Sequence, residues 1–407
     1  MNSMERLISR TPPSADFIPL SVPQIRGNEW KYVKECLDTN WVSSVGSYVD
    51  RFERMVADRA GTRYAVATVN GTSALHIALM LAGVEADDEV VVSSLTFIAP
   101  VNAIRYVGAW PVFVDAELKY WQIDAARVIE FLDHGCRWDG EWLRNRKTGR
   151  RVRAILPVHI LGHAADLDPI LEAAEKYSLP VIEDATEGLG ARYRGKNVGS
   201  LGHAGCFSFN GNKIITTGGG GMLVTDNAEW ASRARYLTTQ AKDDPIEYVH
   251  NAVGYNYRLT NVLAAIGCAQ MEQLDEFIEA KRRIAKRYQE SLLPVTGIRL
   301  PEEADWSFST FWMYTVLIDD KESTIGSRDL LRELGARNIQ TRPLWQPIHR
   351  SPAHTLAGSS SCPNSDALYT QALSLPCSVG LNPADQAKVI QVMSSLLGRQ
   401  NPSARRS

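Results

Sequence analysis

The sequence has 407 residues, enough for one large domain and a smaller one. Apolar content of 44% and charged content of 22% are those of an ordinary folded protein, and a formal net charge of −2 excludes the strongly basic field that binding to nucleic acid or an anionic membrane would call for. The six cysteines, Cys36, Cys136, Cys206, Cys268, Cys362 and Cys377, form no C-x-x-C pair, which argues for a reducing compartment and against a disulfide framework or zinc cluster.

Residues 1–16 are polar, with Pro12 and Pro13, and carry no secretory apolar run. No later run approaches the ~18 apolar residues of a membrane span, so the expectation is a cytoplasmic protein with a flexible tail over 1–16. Asn28 can cap a helix that carries Trp30, Val33 and Leu37 on one face. The loop from Trp41 to Gly46 is rich in small hydroxyls and reads as a plain connector or as a lip over a polar ligand. A second helix over 49–60 turns Phe52, Met55 and Val56 inward and stops at Gly61. A β-branched strand over 64–69 leads through Asn70-Gly71-Thr72-Ser73 into an apolar helix, 74–82. Small residues at a helix start offer free N–H groups and hydroxyls to an anion, or they are an ordinary cap; no P-loop and no G-x-G-x-x-G pattern occurs.

Strand 89–93 gives out into Ser94-Leu95-Thr96-Phe97, and a helix spans 100–106. Phe97 is either core or an aromatic cover on a flat ring. Strand 110–114 and helix 125–132 precede a charged excursion over 138–153, whose tip, Lys147-Thr148-Gly149-Arg150, suggests a solvent-exposed hairpin without chemistry. Strand 154–158 runs into His159 and His163, which have no H-E-x-x-H pattern and no third ligand beside them, so no metal site is expected. Helix 168–177 and strand 179–182 follow, with Asp184 at the strand's C-terminal end. Strands alternating with helices imply a mostly parallel sheet covered on both faces, with ligands gathered at the C-terminal strand ends. Asn70 to Ser73, Phe97, His159, Asp184 and Lys213 all fall there.

A β-rich run, 205–209, delivers the chain to Lys213; Gly218 to Gly221 and the apolar strand Met222-Leu223-Val224 follow. A lysine beside so much permissive backbone is either a solvated loop charge or an amine held in a pocket to form a Schiff base. A strand-end aspartate and a strand-end lysine are the pair that pyridoxal 5'-phosphate requires, one for the pyridine nitrogen and one for the aldehyde. Beyond a helix over 228–237 come a polar segment, 240–250, then Gly254-Tyr255-Asn256-Tyr257-Arg258 and a long amphipathic helix from Thr260 to about Leu292. The domain junction is placed in that helix, giving a large cofactor-binding domain over 17–260 and a small α+β domain over 261–398. The small domain is expected to hold strands 311–318 and 338–341 and helices 328–334, 367–372 and 385–397. Thr341-Arg342-Pro343-Leu344-Trp345-Gln346-Pro347 reads as a rigid, basic, aromatic turn at the edge of an anionic substrate, and 399–407 as a disordered tail.

In order, Asn70-Gly71-Thr72-Ser73-Ala74-Leu75, Thr96-Phe97, Pro157-Val158-His159, Glu183-Asp184-Ala185, Phe207-Ser208-Phe209 with Lys213, Gly218 to Met222 and Gly254-Tyr255-Asn256-Tyr257 resemble the DegT/DnrJ/StrS family of nucleotide-sugar aminotransferases, over about 18–392. The stretches 157–163, 210–217 and 341–349 resemble its LegC-type branch, which aminates UDP-4-keto-6-deoxy-N-acetylglucosamine on the way to bacillosamine or legionaminic acid. The resemblance implies the α/β fold of the fold-type I pyridoxal phosphate aminotransferases: a large mixed-sheet domain plus a smaller C-terminal one.

It also implies roles. Lys213 binds the aldehyde and shuttles the proton, and Asp184 pairs with the pyridinium nitrogen. Gly71, Thr72, Ser73 and Ser208 hold the phosphate, Phe97 stacks on the ring, and His159, Arg342 and Trp345 meet the sugar substrate. Asn256 reaches the phosphate of the neighbouring subunit, which makes the enzyme a homodimer with shared active sites. Glu187 stands where many relatives have His or Gln; a second carboxylate near the cofactor is repelled unless one group is protonated, so it is a cofactor or substrate contact. Glutamate is the expected amino donor, with no nucleic acid or membrane partner. A 3-keto or GDP-linked sugar is the rival substrate, and a cofactor-binding regulator without turnover is the rival class. A dehydratase of this fold typically has histidine in place of Lys213.

Overall fold

Short apolar strands between helices line up as one sheet in the computed structural model, which describes residues 16–244, 246–319, 321–354 and 361–398. The expected tails, 1–16 and 399–407, lie outside the described residues except for Asp16. In chain order the strands are β1 (Tyr64–Thr68), β2 (Glu89–Ser93), β3 (Trp110–Val114), β4 (Cys136–Trp138), β5 (Leu143–Asn145), β6 (Val152–Leu156), β7 (Ile182–Asp184), β8 (Arg192–Tyr193), β9 (Lys196–Asn197), β10 (Ala204–Ser208) and β11 (Gly221–Thr225). Parallel pairing joins β3-β2-β6 and β7-β10, and parallel bridges Ile155–Val181 and Val158–Asp184 join the two sets. Strand β11 lies antiparallel between β10 and β1.

The result is the expected mixed, mostly parallel sheet, and β11 is the one reversed strand of this set. Its direction follows from its connection. Residues 209–220 contain no helix to carry the chain across the sheet, so it must return beside β10. Lys213 sits on that return. The sheet is dry: every residue of β2, β7 and β11 is buried, and Phe209 packs edge-on to the buried Phe52 at 4.8 Å.

The C-terminal part adds β12 (Ile298–Arg299), β13 (Ser307–Phe308), β14 (Tyr314–Ile318) and β15 (Ala372–Leu375). Strands β12, β14 and β15 form an antiparallel sheet, and β13 pairs with β8. Helix Ser327–Gly335 packs against β15, and helix Pro383–Leu397 packs on that helix and on helix Leu274–Leu292. Among the described residues no helix is long and apolar enough to cross a membrane.

Three expectations are corrected. The helix expected from Thr260 to Leu292 is two, Asn261–Met271 and Leu274–Leu292. Glu272 and Gln273 between them are pinned by side chains of the N-terminal segment: Asn28 and Tyr32 donate to Glu272, and Arg26 donates to Gln273. The strand expected at 338–341 is reduced to a single bridge, Ile18–Ile339, with a separate bridge, Arg342–Ser374, just beyond it. The charged excursion makes two turns, one at 139–142 between β4 and β5 and one closed by the antiparallel bridge Arg144–Arg151; in the second, Lys147, Thr148 and Gly149 are exposed as expected, and Thr148 also donates to the buried Glu89. Helix Glu29–Asp38 buries Glu29 and Cys36, while Trp30 (81%) and Leu37 (56%) face outward.

Candidate active site

The turn that ends β10 places Lys213, whose N–H donates to Asn210 O at 3.0 Å. Its side chain is mostly buried, between two groups far away in sequence. Glu187 Oε1 lies 3.4 Å from Nζ, and the ring of Trp312 lies 4.3 Å from it. Trp312 is fixed in turn by its Nε1–H, which donates to Asn212 O at 2.8 Å. A lysine boxed by a carboxyl and an indole is not the solvated loop charge of the plain reading.

Asp184 ends β7 beside Cys206 of β10, and its Oδ1 accepts the N–H of Thr186 at 3.1 Å. Glu187, one turn on, accepts the N–H of Leu161 at 2.9 Å through Oε2. Leu161 adopts a left-handed φ of 61°, a conformation that costs a branched side chain of order 1–3 kcal/mol. Both carboxyls are buried. Burial pushes the proton affinity of Asp184 up, against the hydrogen bonds of Thr186 and the charge of Lys213. Burial likewise pushes Glu187 up, with Lys213 pulling it down and Asp184 adding to the rise. Two buried acids thus share one nearby cation, and a buried carboxylate in that position favours a further cationic partner.

Lys213, Glu187 and Trp312 open onto a cleft of about 260 Å³ lined also by Gly71, Thr72, Phe97, Ser208 and Trp345, among others; Asp184, buried next to Thr186, is not itself part of that lining. The cleft's size is near the lower end of ligand clefts, roughly 300–1,000 Å³. Helix Gly71–Leu81 points its N-terminus here, capped by Asn70, whose side chain accepts the N–H of Ser73. Close packing keeps that end bare: a Cβ on Gly71 would come within 2.9 Å of Ser208 Cβ, and one on Gly221 within 2.3 Å of Asn70 O. The residues fit pyridoxal phosphate. The helix N-terminus with the Thr72 and Ser208 hydroxyls suits a phosphate, the half-exposed Phe97 suits a ring face, Asp184 suits a protonated pyridine and Lys213 suits an aldehyde.

Not every expected residue reaches the cleft. His159 does not: it is 0% exposed, its Nδ1 accepts the N–H of Ala165, and its Nε2 faces Glu183 Oε2 at 3.0 Å. That leaves Nε2–H to donate, so His159 clamps Glu183 and cannot touch substrate. Glu183 also accepts N–H groups of Gly199, Leu201 and Gly202, which ties the loop before β10 to β7. Ser73 is buried in the first helical turn and Arg342 bridges to Ser374; neither lines the cleft. Asn256 is exposed and lies outside this chain's cleft, bridged to Thr239. Trp345 arrives because His349 Nδ1 lies 2.6 Å from Ser94 Oγ, at the end of β2.

Trp312, Thr186, Asn210 and Asn212 line the cleft and were not foreseen as contacts. Trp312 stands in an apolar run before β14, which reads as core; only Asn210 and Asn212, flanking the lysine, carried a local signal.

A larger cavity, about 590 Å³, lies along β3 and is lined by Glu89, Asp115, Arg127, His134, Arg146 and Lys147, among others. Its lysine is exposed and the carboxyls of Glu89 and Asp115 are already hydrogen-bonded, so size does not select it over the Lys213 cleft.

The sequence matches the DegT/DnrJ/EryC1/StrS aminotransferase family over residues 23–394. GDP-perosamine synthase of Caulobacter vibrioides is 41% identical, over 93% of this chain and 98% of that protein. The protein of the same name from Escherichia coli O157:H7 is 39% identical, over 83% of this chain and 87% of that one. The crystal structure of the aminotransferase TlmJ from Streptoalloteichus hindustanus superposes with a TM-score of 0.84 at 30% identity, covering 94% of this chain and 99% of that one.

Proposed function

Because the chain belongs to the DegT/DnrJ/EryC1/StrS aminotransferase family, we propose that it moves the amino group of L-glutamate to the keto carbon of a nucleotide-linked sugar destined for a surface polysaccharide. It is a pyridoxal phosphate-dependent sugar aminotransferase. The observation that carries the fuller reading is Lys213, boxed by Glu187 and Trp312 at the strand ends beside the buried Asp184.

Bound pyridoxal phosphate supplies an aldehyde that accepts amines and a ring that draws electrons from the adjacent C–H bond. The chain's own groups do the rest. Thr72, Ser208 and the opening N–H groups of helix Gly71–Leu81 would hold the phosphate. Phe97 would cover the ring, and Asp184 would keep its nitrogen protonated, which sustains the electron withdrawal. Lys213 Nζ, as a free amine, would take the proton from the amino donor's Cα and hold it for return. Trp345 would border the sugar, with Arg342 three residues before it and outside the cleft lining.

A homodimer with shared sites is part of this reading. Exposed apolar side chains at Trp30 (81%), Val45 (67%), Leu37 (56%) and Trp41 (55%) cluster on the first helix and the loop after it. Val253, 81% exposed, stands three residues before Asn256. Patches of this kind suit a second copy of the chain, which would receive Asn256. The division into domains at 17–260 and 261–398 is kept as part of the same proposal. Free nucleotide sugars and glutamate make the cytoplasm the place of action.

The name of the Caulobacter relative supports a GDP-linked sugar as the substrate. The stretches 157–163, 210–217 and 341–349, which resemble the LegC-type branch, support UDP-4-keto-6-deoxy-N-acetylglucosamine instead. Mass spectrometry of products from GDP-, UDP- and dTDP-linked keto sugars with glutamate decides. An amino sugar from the GDP-linked substrate is expected, one from the UDP-linked substrate alone selects the LegC-type reading, and none from any substrate rejects the proposal.

A further inference from the structure

Lys213 can add to a carbonyl carbon, or take a proton from an amino donor, only as the neutral amine. Its ammonium proton therefore has to leave before each event. Two groups face Nζ. The indole of Trp312 offers a cation a π face and no lone pair for its proton. Glu187 offers Oε1 at 3.4 Å, a loose contact of the kind that tightens when a site fills. Its other oxygen is fixed by the N–H of Leu161, at the left-handed backbone position. One oxygen is thus held and the other aimed at the lysine.

Lys213 Nζ pairs with Glu187 and not with Asp184, whose Oδ1 is held by Thr186 and whose charge the proposed function gives to the ring nitrogen. The charged or titratable groups around Glu187 are Lys213 and Asp184, with His159 beyond Asp184. In a buried site a neutral acid beside a neutral amine competes with the ion pair, because neither member then carries a desolvated charge. Burial and the Asp184 charge both raise the affinity of Glu187 for a proton, in keeping with that geometry.

We propose that Glu187 is a catalytic residue, the base that takes the ammonium proton of Lys213 and later returns it. An N–H bond of Nζ breaks, an O–H bond forms on Oε1, and the amine keeps the electron pair it then uses as nucleophile or base. The ion pair becomes a neutral pair, and no electron or further reactant is needed. The proposal rests on Lys213 being the cofactor lysine.

The test uses the holoenzyme. Glu187→Gln keeps the size of the side chain and an acceptor for Leu161 N–H but cannot take a proton. Stopped-flow loss of the bound cofactor's visible absorbance on adding L-glutamate is followed across pH, with borohydride labelling of Lys213 measured alongside. The variant should remain loaded and labelled. Its single-turnover rate should fall about 10²-fold at neutral pH, the scale of losing one positioned base, and the deficit should narrow as hydroxide rises. Glu187→His restores a base, so its pH profile should move toward the imidazole range. Equal rates in wild type and Glu187→Gln, or a His profile that stays where the wild type's lies, overturns the proposal. Wild-type enzyme that takes no label on Lys213 overturns the assignment beneath it instead.

Discussion

The ring of Trp312 lies 4.3 Å from Lys213 Nζ, and its Nε1–H donates to Asn212 O, the residue before the lysine. One side chain from the C-terminal half thus holds both the amine and the turn that carries it. Trp312→Leu removes both contacts. A lost cation–π contact is worth roughly 0.5–2 kcal/mol. Turnover and the rate of labelling at Lys213 should each fall about tenfold. Trp312→Phe keeps a ring and should lose less. Unchanged rates in Trp312→Leu would show that the indole is only packing.

Asp184→Asn keeps the shape of the strand end but removes its charge. The variant should still bind pyridoxal phosphate, read from its visible spectrum, and lose about 10²-fold or more in turnover, the scale of one key electrostatic contribution. Near-normal activity would sink the role given to the ring nitrogen.

Burial raises the proton affinity of both Asp184 and Glu187. Between the ordinary carboxylate range and their raised folded values, the folded state binds more protons than the unfolded chain. Stability contributed by these groups therefore falls as pH climbs through that window. Cofactor-free wild type should match an Asp184→Asn/Glu187→Gln double variant at the acid end and become progressively less stable than it as pH rises. Melting curves across pH test this, and a difference that shrinks with rising pH has the wrong sign.

The residues proposed as the cofactor pair stand out in the sequence because their signals are local. Asp184 ends an apolar strand, and Lys213 follows a β-rich run and precedes four glycines. Sheet class was legible from the alternation of strands and helices. What escaped depends on contacts between distant residues. His159 reads as a strand-end ligand residue, but the N–H of Ala165 and the carboxyl of Glu183 turn its ring into the core. The break at Glu272 and Gln273 has no proline or glycine to announce it and is imposed by Arg26, Asn28 and Tyr32. Trp30 and Leu37 share a helical face as read, yet no other part of the described chain covers it. Trp312 looks like core because nothing near it in sequence marks the cleft.

If Asn256 completes the site of the opposite subunit, each site is composite. Mixing Lys213→Ala with Asn256→Ala protein, and letting subunits exchange, puts both lesions in one site of each heterodimer and leaves the other intact. Activity should return to about half the normal value per heterodimer. Exchange shown by tag pull-down without any recovery would mean that Asn256 acts within its own chain.

The account depends most on Lys213 as the residue that holds pyridoxal phosphate. Borohydride reduction of the yellow holoenzyme, followed by peptide mass spectrometry, reads this directly. The pyridoxyl group should appear on the peptide containing Lys213 and be absent from the Lys213→Ala protein. A label on Lys196 or Lys242, or none at all, would contradict it.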